Sequence, residues 1–310
     1  MSLIVCLMGP TASGKTQLAI ELVQRYPFEI ISVDSAMIYR GMDIGTAKPG
    51  PDILNIAPHR LINICDPREA YSAAQFRVDA LREMEDIQSK HKIPLLVGGT
   101  MMYFRTLQKG IAAMPSANPE LRALLLKDAQ LKGWPDLHQR LQDIDPVAAR
   151  RIHPHDSQRI QRALEVFMLT GKNLTAWQQD QPLEDWDRKI INICLIPEDR
   201  AVLHKRIAAR FVQMLENGFV EEVKQLRGRG DLSIDLPSMR SVGYRQVWEY
   251  LNGKYTYAEM CEKGIIATRQ LAKRQLTWLR SWPDKIVFDS EADDLLLQVS
   301  NFLDSTFMQG

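Results

Sequence analysis

Apolar positions in the first third of the chain fall in short, near-continuous runs separated by amphipathic stretches. Residues 3–8, 29–33 and 93–97 read as strands, and residues 17–25 and 73–91 carry helical spacing. A loop rich in Gly and Pro covers residues 41–58, and residues 60–64 read as a further strand. Strands apolar at nearly every position, alternating with helices, predict a parallel sheet covered on both faces. The expected class is α/β.

Over residues 113–187 the β-branched runs vanish and the spacing becomes helical. Turn signals stand at Asn118-Pro119, Gly133-Trp134-Pro135, Asp145-Pro146 and His153-Pro154. A strand returns at residues 189–196, followed by helices over 200–226, 242–251 and 257–282, a short strand at 285–288 and a terminal helix. The expected organisation is a core of residues 1–112 and 188–310 with a helical insertion domain at 113–187.

Between the first strand and the first helix lies Gly9, Pro10, Thr11, Ala12, Ser13, Gly14, Lys15 and Thr16, which matches G-x-x-x-x-G-K-[ST]. Glycines let the backbone curl so that NH groups and a helix N-terminus point at phosphate oxygens. Lys15 adds a point charge, and the Thr16 hydroxyl suits Mg²⁺. Such a loop usually holds ATP or GTP. Asp34 follows the second strand at the carboxyl edge, where open α/β sheets bind ligands, and its residue type also suits a metal ligand or a helix cap. No later apolar run ends in the Asp that holds the second Mg²⁺ contact of an ordinary NTPase; residues 189–196 run into Pro197.

The bulk numbers narrow the class. With 310 residues, 45% of them hydrophobic and 25% charged, the chain can bury an ample core. No run approaches the roughly 18 apolar residues of a membrane span, and the N-terminus lacks the basic leader of a signal peptide. Cys6, Cys65, Cys194 and Cys261 are far apart, without C-x-x-C or zinc spacing, which suggests reduced thiols in a cytosolic protein. His153 and His155 are too isolated for a metal site. The net charge of +1 conceals basic stretches at residues 150–162 and 269–280, compatible with nucleic acid or with a solvated helix face.

Several segments together resemble the tRNA dimethylallyltransferases, also called tRNA isopentenyltransferases: GPTASGKT at 9–16, DSAMIYRGMDIGTAKP at 34–49, PHRLINICDP at 58–67 and PLLVGGTMMYF at 94–104. Further on come RIHPHDSQRIQRALEV at 151–166, RSVGYRQ at 240–246 and ATRQLAKRQLTWLR at 267–280. The likeness covers essentially the whole chain. It implies a phosphate-loop kinase-like core whose loop holds dimethylallyl diphosphate with Mg²⁺, Asp34 as general base, and Arg210 at the diphosphate. It places Thr100 and Arg122 in contact with tRNA. The tRNA path it implies is lined by Asp34, Ser35, Ala36 and Met37, by Gln158, Arg159, Ile160, Gln161 and Arg162, and by Arg240, Ser241, Val242, Gly243, Tyr244 and Arg245. Lys273, Arg274, Gln275, Leu276, Thr277, Trp278, Leu279 and Arg280 complete it. Many members have glutamine where this chain has Met37, which cannot donate an amide hydrogen bond. No C-terminal zinc finger of the larger eukaryotic members follows.

The residue types suit prenyl transfer. An adenine amine is a weak nucleophile and needs a base as the new bond forms, while the departing diphosphate gathers negative charge that Lys15, backbone NH groups, Mg²⁺ at Thr16 and Arg210 can stabilise. An anticodon-loop adenine would have to be extruded into the pocket. The expected partners are the tRNA anticodon stem-loop and dimethylallyl diphosphate, with no membrane, a cytoplasmic location and a monomeric chain. The competing functions are a small-molecule kinase, an RNA-binding NTPase and an adenylate isopentenyltransferase acting on a free nucleotide. Thr100 also reads as the N-cap of the helix after residues 98–99, and Trp278 and Trp282 as either base-stacking or core residues.

Overall fold

Successive side chains of a strand point to opposite sides, so strands apolar at both parities need cover on both faces. The computed structural model, which describes residues 2–112, 114–180 and 188–308, has that cover. The chain runs β1 (Ser2–Met8), α1 (Lys15–Arg25), β2 (Phe28–Val33), α2 (Pro51–Ile56), β3 (His59–Arg60), α3 (Ala73–Ser89), β4 (Ile93–Gly98) and α4 (Met101–Lys109). Next come α5 (Pro119–Lys132), α6 (Trp134–Ile144), α7 (Pro146–Arg151), α8 (Ser157–Thr170) and α9 (Leu174–Gln179). The remainder is β5 (Arg188–Ile196), α10 (Arg200–Glu216), α11 (Phe219–Gly228), α12 (Tyr244–Leu251), α13 (Tyr257–Arg280), β6 (Lys285–Asp289) and α14 (Leu295–Met308).

Among the described residues the strands form one sheet in the order β3-β2-β4-β1-β5-β6, with every pairing parallel. On one face Ile4, Cys6, Met8, Ile31, Val33, Leu96 and Cys194 pack under α3, α4 and the end of α13 through Phe76, Met84, Phe104, Leu107, Leu279 and Trp282. On the other, Val5, Leu7, Ile30, Leu95, Ile193 and Leu195 meet Leu18 and Leu22 of α1 and Val299 and Leu303 of α14. Each such fully buried side chain contributes about 1.5–3 kcal/mol relative to exposure. The register pairs Met8 and Val33 with Gly98, so β1, β2 and β4 end side by side. Gly9, Asp34 and Gly99 therefore leave the sheet at one edge.

Three expectations are corrected. The strand expected at 60–64 stops after Arg60, because Leu61 and Asn63 adopt left-handed φ values of 59° and 56° that no ladder tolerates. The loop at 41–58 contains α2, whose Pro51 stands in the first turn where its missing NH costs nothing. The helix expected over 200–226 breaks between α10 and α11 at Gly218, φ 95°. The cysteines are all free, with Cys6, Cys65 and Cys194 buried and Cys261 only half-buried.

The chain divides into two compact units, Met1–Gln108 with Trp186–Gly310, and Lys109–Asp185. Ala113 and Asp187, the expected ends of the insert, lie outside the described residues. The second unit has its own core of Leu125, Leu137, Leu141, Ala148, Ile160 and Leu164. Its helices start at side-chain caps from Asn118, Asp145, Asp156 and Asn173, each satisfying an otherwise orphaned amide.

Gly264 in α13 offers a test of the packing around α10. A Cβ there would stand 2.0 Å from Cζ of Phe211. Alanine improves helix propensity by about 0.5–1 kcal/mol, but forcing a ring aside in a packed core costs about 1–3 kcal/mol. Gly264→Ala should therefore lower the urea midpoint without changing the slope. An unchanged or higher midpoint would mean that Phe211 has room to turn.

Candidate active site

The end of β1 and the start of α1 define the site. Gly14, φ 82°, precedes Lys15 without a side-chain cap, so the first-turn amides of α1 remain free for an anion. Ala12 also has a left-handed φ of 63°, a strained choice for a residue with a Cβ and one that concentrates at ligand sites. Ser13 is buried. The Lys15 ammonium donates to the Pro10 carbonyl at 2.6 Å and reaches Ser13 Oγ at 3.4 Å. That ammonium is enclosed by protein although part of its side chain stays accessible. Burial, reinforced by Arg210 and opposed by Asp34, brings its pKa down to about 7.

Asp34 follows β2. Its Oδ1 accepts from the amides of Ala36 at 2.8 Å and Met37 at 3.3 Å, an Asx turn that fixes the carboxylate at the sheet edge. Arg210 reaches the same place from α10, its Nη2 directed at the Thr46 carbonyl at 3.5 Å. Burial lowers its pKa from the usual arginine value, and Asp34 acts in the opposite direction. The segment carrying Thr46 is held by Glu222, which accepts from the amides of Asp43, Ile44 and Gly45 at 2.9, 2.6 and 3.1 Å and from the Tyr244 hydroxyl at 2.5 Å. Two cations and one carboxylate thus share a partly dehydrated space beside free backbone amides, a setting suited to an oxyanion and to proton transfer next to it.

A second group of contacts ties the loop to its neighbours. Gln275 of α13 accepts from the Thr11 amide at 2.9 Å and donates to the Gly99 carbonyl at 2.9 Å. Thr100 Oγ1 accepts from the Ser35 amide at 3.1 Å and donates to Ser35 Oγ at 3.4 Å. Thr100 stands at the expected N-cap position, directly before α4, with its carbonyl accepting from the Phe104 amide at 3.4 Å, while its hydroxyl serves Ser35. Met37 accepts through sulfur from the Ser32 hydroxyl at 4.0 Å.

The other residues expected on a tRNA path divide by exposure. Lys273, Arg274, Thr277 and Arg280 form one exposed stripe of α13, and Gln158, Arg159, Arg240 and Arg245 are also exposed. Ile160, Gly243, Tyr244, Leu276 and Leu279 are buried, and the side chains of Ile160, Tyr244, Leu276 and Leu279 pack inside the protein and are not presented at its surface. Ser241, Val242 and Gln161 are half-buried. Arg122 and Arg162 both bind the buried Glu165, at 2.8 and 2.6 Å. Trp282 is buried edge-on to Phe104, and Trp278 is half-buried with Arg105 over its ring; neither stands free for base stacking. The roles of Gln275 and Glu222 carry no local signal, because each depends on a partner brought in by the fold.

Among the described residues no group of three or more His, Cys, Asp or Glu side chains is arranged to hold a metal. Thr16, half-buried in the first turn of α1, fits a Mg²⁺ ion that takes its remaining ligands from phosphate oxygens and water, which is how this ion commonly binds.

A parallel sheet with a phosphate loop after β1 and buried cations at its carboxyl edge defines a phosphate-loop kinase-like α/β protein. Residues 37–282 match IPP transferase, and the chain belongs to that family of enzymes. It is 56% identical over 300 residues to a tRNA dimethylallyltransferase of Coxiella burnetii, a match covering 97% of this chain and 96% of that protein. It resembles the structure of the full-length tRNA isopentenylpyrophosphate transferase of Bacillus halodurans, with TM-score 0.73, 35% identity, and coverage of 99% of this chain and 97% of that one. A eukaryotic dimethylallyltransferase acting on tRNA aligns with TM-score 0.82 at 25% identity, over all of this chain and 80% of its own.

The depressed Lys15 pKa makes a pH-dependent statement about the free protein. The unfolded chain holds this proton up to about 10.5 and the folded one to about 7, so the cost of the buried charge is complete below pH 7 and fades as pH rises toward 10.5. Lys15→Met should therefore stabilise the ligand-free protein, most at pH 7 and below, with the gain over the native chain shrinking at higher pH. Thermal unfolding from pH 6 to 9.5 checks this; a gain independent of pH would place the ammonium in water.

Proposed function

We propose that the protein transfers a dimethylallyl group from dimethylallyl diphosphate to the exocyclic amine of the adenine 3′ of the anticodon in tRNA, releasing diphosphate. The observation that carries this reading is the meeting of Asp34 with Lys15 and Arg210 beside the phosphate loop, in a chain so similar to a tRNA dimethylallyltransferase. The amine nitrogen bonds to the allylic carbon as the carbon–oxygen bond to diphosphate breaks, and the amine proton passes to Asp34. The turn that holds Oδ1 leaves Oδ2 without a hydrogen bond among the described residues, which is the state a base requires. Lys15, Arg210 and the first-turn amides of α1 take up the charge of the leaving group. Mg²⁺ held through Thr16 would add Lewis-acid stabilisation of the diphosphate oxygens.

On the core, the exposed face of α13 with Lys273, Arg274 and Arg280, together with Arg240 and Arg245, supplies phosphate contacts to the anticodon stem-loop. On the helical unit, Gln158 and Arg159 do the same. Arg122 and Arg162 contribute there with the part of each side chain that Glu165 leaves accessible. Among the described residues no helix is long and apolar enough to cross a membrane, and we place the protein in the cytosol with its tRNA. The direct assay is label from dimethylallyl diphosphate entering the adenosine of bulk tRNA with Mg²⁺ and no nucleotide triphosphate. Strict dependence on ATP would point to a kinase or NTPase, and label only in free nucleotide to an adenylate-modifying enzyme.

Asp34→Asn keeps the turn that holds the side chain but removes the proton acceptor. Single-turnover transfer at saturating substrates should slow by about 10²- to 10⁴-fold, with tRNA and diphosphate affinities little changed. A near-normal rate would remove Asp34 from the catalytic role, and a defect confined to diphosphate binding and rescued by Mg²⁺ would assign it to the metal.

Arg274 has no ion-pair partner among the described residues and is exposed on α13. Arg274→Ala should weaken tRNA binding and reduce the slope of log affinity against log salt by about 0.7–0.9. An identical slope would leave it a solvated surface charge.

A further inference from the structure

We propose that Gln275 is a positioning residue for the donor: its carboxamide clamps the phosphate loop to the end of β4 and so sets the loop in the conformation that receives the diphosphate. This rests on the function proposed above and adds a residue to it. Gln275 belongs to a segment expected to line a tRNA path, yet its side chain turns away from the exposed stripe of Lys273, Arg274, Thr277 and Arg280. Both ends of the amide are used, Oε1 by the Thr11 amide and Nε2 by the Gly99 carbonyl, each at 2.9 Å. Glutamine is the one uncharged side chain of this length that can accept from one backbone and donate to another at once. Thr11 begins the curve that contains the strained Ala12 and ends at Gly14 and Lys15, and no sheet ladder reaches it. Gly99 is followed by Thr100, which holds the Ser35 amide next to Asp34. The clamp therefore joins the loop that takes the leaving group to the segment that fixes the base, through a helix whose opposite side carries the proposed tRNA contacts.

The packing at Gly99 supplies an independent way to open the clamp. A Cβ on Gly99 would stand 2.3 Å from Gln275 Nε2 and 3.2 Å from the Gly9 carbonyl, so alanine must displace the flexible carboxamide while the glutamine remains in the chain. Two variants, Gln275→Met, which keeps length without polarity, and Gly99→Ala, should thus share one defect. Because they act on the same contact, the double variant should be no worse than the more severe single one.

The test measures binding of inorganic diphosphate with Mg²⁺, binding of unmodified tRNA, and single-turnover transfer in the full chain. Each variant should bind diphosphate about five- to tenfold more weakly, the loss expected for one or two neutral hydrogen bonds. Transfer should recover when dimethylallyl diphosphate is raised, and tRNA affinity should stay within about twofold. Additive effects in the double variant, or a loss confined to tRNA affinity, would overturn the clamp and make Gln275 an RNA contact. Diphosphate affinity equal to that of the native chain would overturn it as well. If the native chain itself fails to bind diphosphate, the donor assignment fails; if it binds and the variants match it, only the clamp does. Should Gln275→Met not fold, Gly99→Ala, which keeps the glutamine, decides alone.

Discussion

A buried ammonium at Lys15 and a buried guanidinium at Arg210 flank one carboxylate, Asp34, at the carboxyl edge of the sheet, and much of the structure exists to hold them there. Taking an ion out of water costs of order several kcal/mol even after relaxation. One carboxylate cannot neutralise two cations, so the arrangement is complete only with an anion between them. Burial first, and Arg210 after it, bring the Lys15 pKa down to about 7 against the opposing pull of Asp34. A protein selected for stability alone would place apolar residues at these positions, as sites that work by charge do not.

The sheet makes the arrangement possible. Because β1, β2 and β4 end in register, the phosphate loop, Asp34 and Gly99 emerge side by side from a frame buried on both faces. Arg210 arrives from a helix far along the chain, aligned by a segment that Glu222 cradles with three amides and a phenol. Rigid elements thus set the charges, while the parts that face the substrate are a strained loop and the polar side chains around it.

Much of this was legible in the sequence where conformation is decided locally. The phosphate loop needs glycine at its turn and a strand and helix on either side, and those signals sit within one stretch of chain. The parallel sheet was legible from apolar runs, and the helices of the second unit from Asn, Asp and Pro at their starts. Arg210 was legible only through resemblance, since nothing in its own helix distinguishes it from a surface arginine. Carrying a tRNA path over segment by segment also missed the helical period: Leu276 and Leu279 share the buried face of α13 with Ala272, while Arg274 and Thr277 share the exposed one. The clamp at Gln275 was not legible, because its two partners come from distant parts of the chain.

Lys15, its pKa brought down to about 7 by burial, is partly unprotonated in the free protein, and a diphosphate bound beside it would restore its charge. Calorimetric titration of inorganic diphosphate with Mg²⁺ at pH 8, in two buffers of different ionisation enthalpy, counts the protons taken up on binding. The native chain should take up more protons than Lys15→Met under the same conditions, because the arriving anion raises the Lys15 pKa back above the solution pH. Equal proton uptake by the two proteins would contradict the account, since it would mean that Lys15 does not change its protonation when the diphosphate arrives.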